Sequence, residues 1–317
     1  MVDETQLAES RAIHRRTGTT FYVATRLLPE RVRHATYVLY AFFRVTDEIV
    51  DDPNGPPPDV QRAELDRIRK AVLGRRETDD QVLAAFSELR ERYGIPDEVV
   101  AEFIDAMATD ITKRRYETYA ELETYMGGSA AAVGEMMTVV MGSDEPETAR
   151  PHARALGEAF QLSNFLRDVG EDIVERDRIY LPETTLDEHG VSEEQIERRE
   201  MDEDFAAVVT SELERTEERY REGVAGIKYL PEDCQFPVLL AAVLYADHHR
   251  LIRAHDYDVL TTTPELSTAR KLSLLARTRW HWLWNKDPEA VFAKVSTVPM
   301  PGAARPDSGM GEPRPIG

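Results

Sequence analysis

Apolar residues recur at helical spacing from one end of this 317-residue chain to the other, and the period-two alternation of strands is scarce. That pattern leaves few options besides an all-α fold. Helices are predicted at roughly 4–15, 30–52, 59–73, 79–93, 97–114, 118–142, 148–176, 202–228, 235–257 and 267–285, from the spacing of apolar positions and the breakers between them. Pro53-Asn54-Gly55-Pro56-Pro57-Pro58 stops the second, and Gly94-Ile95-Pro96-Asp97 separates two others. No linker or internal repeat interrupts the series. A single domain over 1–295 is the simplest division. Residues 296–317, rich in Pro and Gly with little to bury, read as a disordered tail.

Two helical stripes carry the acid that bears on function. In LYAFFRVTDEIVDD (39–52), Tyr40, Arg44, Asp47 and Asp51 fall within about 60° of one another at 100° per residue. In QLSNFLRDVGED (161–172), Gln161, Asn164, Asp168 and Asp172 fall within about 80°. Each stripe ends in an Asp-x-x-x-Asp pair flanked by large apolar residues such as Phe42, Phe43, Phe165 and Leu166. Like charges four apart repel, and burying them needs a counter-charge. Oxygen-only ligands favour Mg²⁺, which takes one or two carboxylates together with substrate phosphates and waters. Two such helices facing each other make a slot for a phosphorylated substrate. Asn164 adds a neutral oxygen, and Arg44, Arg167 and Arg178 are candidates to touch phosphate. The opposing view is that an Asp-x-x-x-Asp pair in an acidic chain is a solvated face. On that view the protein is an acidic helical scaffold, with both stripes exposed and far apart.

Composition narrows the partners. Lys and Arg total 39 against 59 Asp and Glu, a net charge of -20. That argues against nucleic acid, whose phosphates need a basic footprint. Such acidity keeps a chain soluble and is common under high salt. Cys234 is the only cysteine, so no intrachain disulfide or cysteine metal site is expected. A di-iron bundle needs Glu-x-x-His pairs, and none occurs. His248 and His249 are adjacent, point about 100° apart and are expected at the surface. The N-terminus lacks a secretory pattern and no apolar run is long enough to span a bilayer, so a cytoplasmic location is expected.

At these motifs the chain resembles the squalene/phytoene synthase family, the head-to-head trans-isoprenyl diphosphate synthases, over about residues 14–285. The carrying segments are TTFYVATRLLP (19–29), YAFFRVTDEIVD (40–51), YMGGSAAAVGEMM (125–137), QLSNFLRDVGEDIVERDRIYLP (161–182) and LAAVLYADHHRLIRAHDYDVL (240–260). The resemblance implies an all-α isoprenoid synthase bundle around an apolar cavity. It implies metal binding by Asp47, Glu48, Asp51, Asn164, Asp168 and Asp172. It places Thr20, Phe21, Tyr40, Arg44, Gln161, Arg167, Arg178 and Tyr180 at the substrate, with Glu171 beside the second motif. The four aspartates, Tyr40 and Arg44 are the expected catalytic set.

The implied reaction condenses two geranylgeranyl diphosphates, through a cyclopropyl diphosphate, to phytoene; a squalene or dehydrosqualene synthase using farnesyl diphosphate is the runner-up. Mg²⁺, with Mn²⁺ as a substitute, is the implied cofactor. No Rossmann fingerprint is present, and NADPH, which squalene would require, is not expected. The resemblance further implies a membrane surface for product release, at the inner face, and an upstream prenyl synthase or downstream desaturase as partners. Three departures stand out. Glu48 replaces an aspartate, Gly127 and Gly128 stand where many members carry tyrosines, and Thr261-Thr262-Thr263 stand where several carry a basic residue. VGEMMTVVM (133–141) and FPVLLAAVLY (236–245) are candidate cavity walls. Phe21, Tyr22, Tyr40 and Phe43 are candidates to stabilise a carbocation.

Overall fold

The computed structural model describes residues 23–52 and 55–300. The predicted first helix, Thr20, Phe21 and Tyr22, and residues 301–317 lie outside them. Among the described residues there is no strand. The helices are α1 (Glu30–Asp51), α2 (Pro58–Val72), α3 (Gln81–Tyr93), α4 (Asp97–Asp110), α5 (Tyr119–Met126), α6 (Ala132–Met141), α7 (Pro146–Arg167), α8 (Val169–Arg176), α9 (Glu183–Glu188), α10 (Glu193–Glu197), α11 (Glu203–Ala225), α12 (Glu232–Ala254), α13 (Thr268–Trp284) and α14 (Pro288–Val295). None is long and apolar enough to cross a membrane.

Local chemistry sets several boundaries. Asp80 accepts hydrogen bonds from the Val82 and Leu83 amides at 2.9 and 3.0 Å, so α3 starts two residues later than predicted. Gly94 closes α3 in the left-handed conformation. The predicted helix 118–142 is divided by a π-turn over Gly127–Ala131. There Gly128 lies so close to α4 that a Cβ would sit 2.3 Å from the Glu102 carbonyl oxygen. A tyrosine cannot occupy that position in this backbone, which accounts for one departure from the family pattern. Such π-turns recur at functional sites. Three short segments, α9, α10 and α14, escaped periodicity because five to eight residues barely complete two turns.

The core falls into three parts. α1 to α6 bury Phe42, Phe86 and Phe103 together, with Phe42 and Phe86 stacked at 3.8 Å. α7, α11, α12, α13 and α14 share a second cluster around Tyr220, Leu240 and Phe292. The third lies beneath α8, α9 and α10. α7 runs through the middle, packed on α6 and α11. Residues 296–300 are the described part of the expected tail, and they touch the core in places. Val298 is buried in the second cluster, and Arg221 donates to the Pro299 carbonyl at 2.9 Å.

Candidate active site

α1 and the α7–α8 pair form opposite walls of a cavity of about 670 Å³. Tyr40, Arg44, Asp47 and Asp51 line it from α1, and Gln161, Asn164, Arg167, Asp168 and Asp172 from the other side. Arg178 and Tyr180 border it from the segment after α8. The two stripes therefore share one space, and the scaffold reading, which requires them far apart, fails. Glu48 does not border the cavity; its carboxylate lies 3.9 Å from Arg44, and 56% of the side chain is exposed. Helical rotation carries it off the stripe of Asp47 and Asp51.

The second motif is not one straight helix, as 148–176 was predicted to be. α7 ends and α8 begins at Asp168, whose φ of -105° and ψ of 11° leave helical geometry. The Gly170 amide donates to the Val259 carbonyl at 3.0 Å, and a Cβ there would lie 2.1 Å from the Leu260 oxygen. This backbone approach turns the chain and sets Asp168 at the bend.

Every aspartate of the two stripes is met by an arginine. Arg44 lies 3.4 Å from Asp47, and Arg178 2.7 Å from Asp51. Arg167 grips Asp168 with two contacts at 2.6 and 2.5 Å, and Arg176 lies 3.0 Å from Asp172. Even so, burial, reinforced by Asp51, pushes the Asp47 carboxyl up to about 7 against the pull of Arg44. Burial likewise lifts Asp172 to about 7, with Arg176 opposing and Asp168 assisting. The arginines compensate only part of the desolvation.

Both carboxyls hold protons at higher pH when folded than their ordinary value of 3.8. The stability they contribute is fully present below about pH 4 and is lost as pH rises through about 7. Asp172 is the better position for a test. Only 12% of its side chain is exposed, whereas cavity water screens Asp47, which is 32% exposed. Asp172→Asn is expected to raise the melting temperature of the metal-free protein at pH 8 by roughly 2–4 °C per kcal/mol recovered. The gain shrinks towards pH 5. Calorimetry across that range checks this, and a lower melting temperature at pH 8 contradicts it.

Among the described residues, no three His, Cys, Asp or Glu side chains are gathered closely enough to hold a metal ion by themselves. The donor set nevertheless suits Mg²⁺, which usually borrows most of its ligands from phosphate and water. Asp110 Oδ1 and the Nε atoms of Arg44 and Arg178 are buried without hydrogen-bond partners, as expected around a site that takes a charged ligand.

Some residues of the site escaped sequence reasoning. Asp110 is buried beneath Asp51, and its Oδ2 accepts from Tyr125 Oη at 2.7 Å. Burial raises it to about 6, partly offset by Arg178 and that hydrogen bond. The two histidines, expected at the surface, are both buried. α12 is enclosed on all sides, so its adjacent residues enter different interiors. His248 borders the cavity, with Nδ1 3.0 Å from the Tyr245 carbonyl. Burial, with Arg167 nearby, depresses it to about 4. His249 Nε2 meets Ser163 Oγ at 3.0 Å and its Nδ1 lies 3.4 Å from Glu217. Ser129, on the π-turn, also lines the cavity, and its hydroxyl is buried without a partner. Thr263 reaches the rim, but the basic group there is Lys271 of α13.

A second space of about 110 Å³ continues the cavity and is almost wholly apolar. The two share Val133, Met137, Gly157 and Phe160. Along α7, small residues Gly157, Ala153 and Ala149 line it, so it runs away from the aspartates. Phe160 to Ala149 spans roughly 16 Å at 1.5 Å per residue. Met141 and Ala241, from the two runs expected as walls, also border it. Tyr40 and Phe43 face the main cavity, and Phe165 and Tyr180 stack there at 3.7 Å.

A family model described as squalene/phytoene synthase matches residues 14–275. A 15-cis-phytoene synthase of Synechococcus elongatus is 32% identical over 278 residues, covering 84% of this chain and 90% of that protein. A phytoene synthase of Cereibacter sphaeroides is 35% identical over 272 residues, covering 81% and 75%. Among solved structures, a dehydrosqualene synthase in complex with a ligand aligns with a TM-score of 0.80 at 26% identity, over 89% of this chain and 98% of that one. A squalene synthase from Alicyclobacillus acidocaldarius aligns at 0.70 with 24% identity, over 80% and 95%, a likeness of fold. The helices thus form an all-α isoprenoid synthase bundle.

Proposed function

Because the chain belongs to the squalene/phytoene synthase family, we propose that it condenses two geranylgeranyl diphosphates head to head to phytoene. The diphosphates would lie between the acidic walls, with Asp47, Asp51, Asn164, Asp168 and Asp172 holding Mg²⁺. The bound ions would supply charge neutralisation for the departing diphosphate. Arg44 and Arg167, already in the cavity, are placed to take phosphate oxygens in exchange for their aspartates. The remaining walls exclude water, so the allylic cation meets the double bond of the second substrate instead. A cyclopropyl diphosphate forms with loss of a proton. Loss of its diphosphate, rearrangement and a second proton loss give the hydrocarbon. Tyr40, Phe43 and the Phe165–Tyr180 stack offer aromatic faces to the cationic stages.

The observation that carries the twenty-carbon substrate is the apolar extension lined by Gly157, Ala153 and Ala149, which gives a long tail room beyond the main cavity. Incubation with Mg²⁺ and either geranylgeranyl or farnesyl diphosphate, with and without NADPH, identifies the product. A forty-carbon hydrocarbon with a central conjugated triene is expected without NADPH. A thirty-carbon product overturns the chain-length assignment, and no hydrocarbon from either overturns the enzyme. Ala149→Phe fills the extension at a cost of about 1–3 kcal/mol of packing strain. It is expected to lower kcat/KM for geranylgeranyl diphosphate at least about tenfold, the scale set by a few misfitting methylenes, and that for farnesyl diphosphate far less. Equal losses would show that the extension does not hold the tail.

A further inference from the structure

Four of the seven large apolar side chains exposed among the described residues lie on one helix, α13: Leu272, Trp280, Leu283 and Trp284. Trp284 is 78% exposed. The helix is well anchored, because Leu274, Thr278 and Trp282, spaced four apart, are buried on its inner side. Leu272, Trp280 and Leu283 fall within about 80° of one another on the outer side, with Trp284 next to them. Trp280 and Trp284 contact each other edge to face at 6.2 Å. A contiguous apolar patch of this kind marks an interaction surface.

Charge says what it meets. α13 carries Arg270, Lys271, Arg277 and Arg279 and no Asp or Glu, in a chain of net charge -20. Every other described α-helix contains at least one acidic residue. Arg279 and Arg277 flank the patch on opposite sides, and Lys286 follows just beyond it. The Arg279 guanidinium lies over the Phe236 ring at 5.3 Å and the Lys286 ammonium over Trp282 at 5.1 Å, so both charges are held against the apolar surface at the edge of the patch. Tryptophans edged by arginine and lysine on an amphipathic helix suit the boundary of an anionic bilayer.

We infer that the outer face of α13 docks on the surface of an anionic lipid bilayer, with Trp280, Trp284, Leu272 and Leu283 in the interface and Arg277 and Arg279 at the lipid headgroups. The placement has a consequence for traffic. Lys271, at the start of α13, borders the main cavity, and Leu272 begins the patch. The cavity rim therefore adjoins the docking face, and an apolar product would leave it beside lipid.

The test mixes the full-length protein with vesicles of phosphatidylcholine alone or with phosphatidylglycerol, and measures flotation and tryptophan emission. Wild type is expected to bind the anionic vesicles with a blue shift and the neutral ones weakly. Trp280→Ala/Trp284→Ala should lose at least about tenfold in binding, and Arg277→Gln/Arg279→Gln should lose the preference for anionic lipid. Circular dichroism and the basal condensation rate in detergent should stay unchanged in both. Failure of the wild type to bind, or equal binding by the tryptophan variant, overturns the inference. So does a lipid-free dimer in sedimentation velocity that the tryptophan variant splits, because the patch would then pair two copies. Flotation needs no turnover, so this inference and the proposed reaction can fail separately.

Discussion

Asp168→Ala is expected to lower turnover by at least about a thousandfold, the order lost when a group that stabilises developing charge is removed. The expectation follows from where Asp168 sits. It occupies the bend between α7 and α8 and borders the cavity, and among the described residues its side chain is engaged by Arg167 alone. Its carboxylate caps no helix end; the bend itself is held by the Gly170 amide on Val259. The fold should therefore survive. One repulsion on the raised Asp172 carboxyl also disappears, which offsets part of what is lost when Arg167 loses its partner, so the melting temperature of the metal-free variant should change little. Asp47→Ala on the opposite wall should fall as far, because a metal-bridged diphosphate needs both walls. Steady-state kinetics with circular dichroism reads both quantities. Near-normal activity in either variant would show that its carboxylate is not a ligand.

The second large effect concerns stability. Arg178 is almost completely buried and joins three elements. It binds Asp51 at 2.7 Å and donates to the Asp110 carbonyl at 2.9 Å and the Val50 carbonyl at 3.4 Å. Next to it, the Ile179 amide donates to the Arg114 carbonyl and the Glu183 amide to that of Tyr116, which lays this segment along residues 114–117. Arg178→Ala leaves Asp51 and the buried Asp110 without their main counter-charge. Breaking a buried ion pair from one side typically costs about 3–5 kcal/mol. A melting temperature lower by roughly 6–20 °C is expected, at about 2–4 °C per kcal/mol. Asp110→Asn in the same background should recover part of the loss, because it removes the carboxyl left unpaired. A loss under about 1 kcal/mol would mean that water solvates the gap.

How much of this was legible follows from what periodicity encodes. The long helices and both acidic stripes were readable, because a helix maps sequence spacing directly onto a face. Tyr40, Arg44, Asp47 and Asp51 were placed on one wall by that rule alone. Glu48 was assigned from the resemblance and fell off the wall for the same geometric reason. The kink at Asp168 was invisible, because it depends on backbone contact with residues about ninety positions later. Asp110 could not be found either, since nothing near it in sequence repeats the motif. His248 and His249 were misplaced because residues about 100° apart on a helix can both be buried when other elements pack all around it, as they do around α12. Lys271 brings a basic side chain to the cavity that Thr263 also borders, a placement that only the path of the loop into α13 reveals. Thr20 and Phe21 lie outside the described residues.

The central claim is that the two acidic walls jointly hold a metal-bridged diphosphate. Isothermal titration of inorganic diphosphate into the protein, with and without Mg²⁺, tests it without catalysis. The affinity in Mg²⁺ should rise as pH climbs through about 7, since Asp47 and Asp172 must lose protons to serve as ligands. The account predicts binding that requires Mg²⁺ and is lost in Asp47→Asn and in Asp168→Asn alike. Binding that is independent of the metal, or that persists when either wall is neutralised, would contradict it.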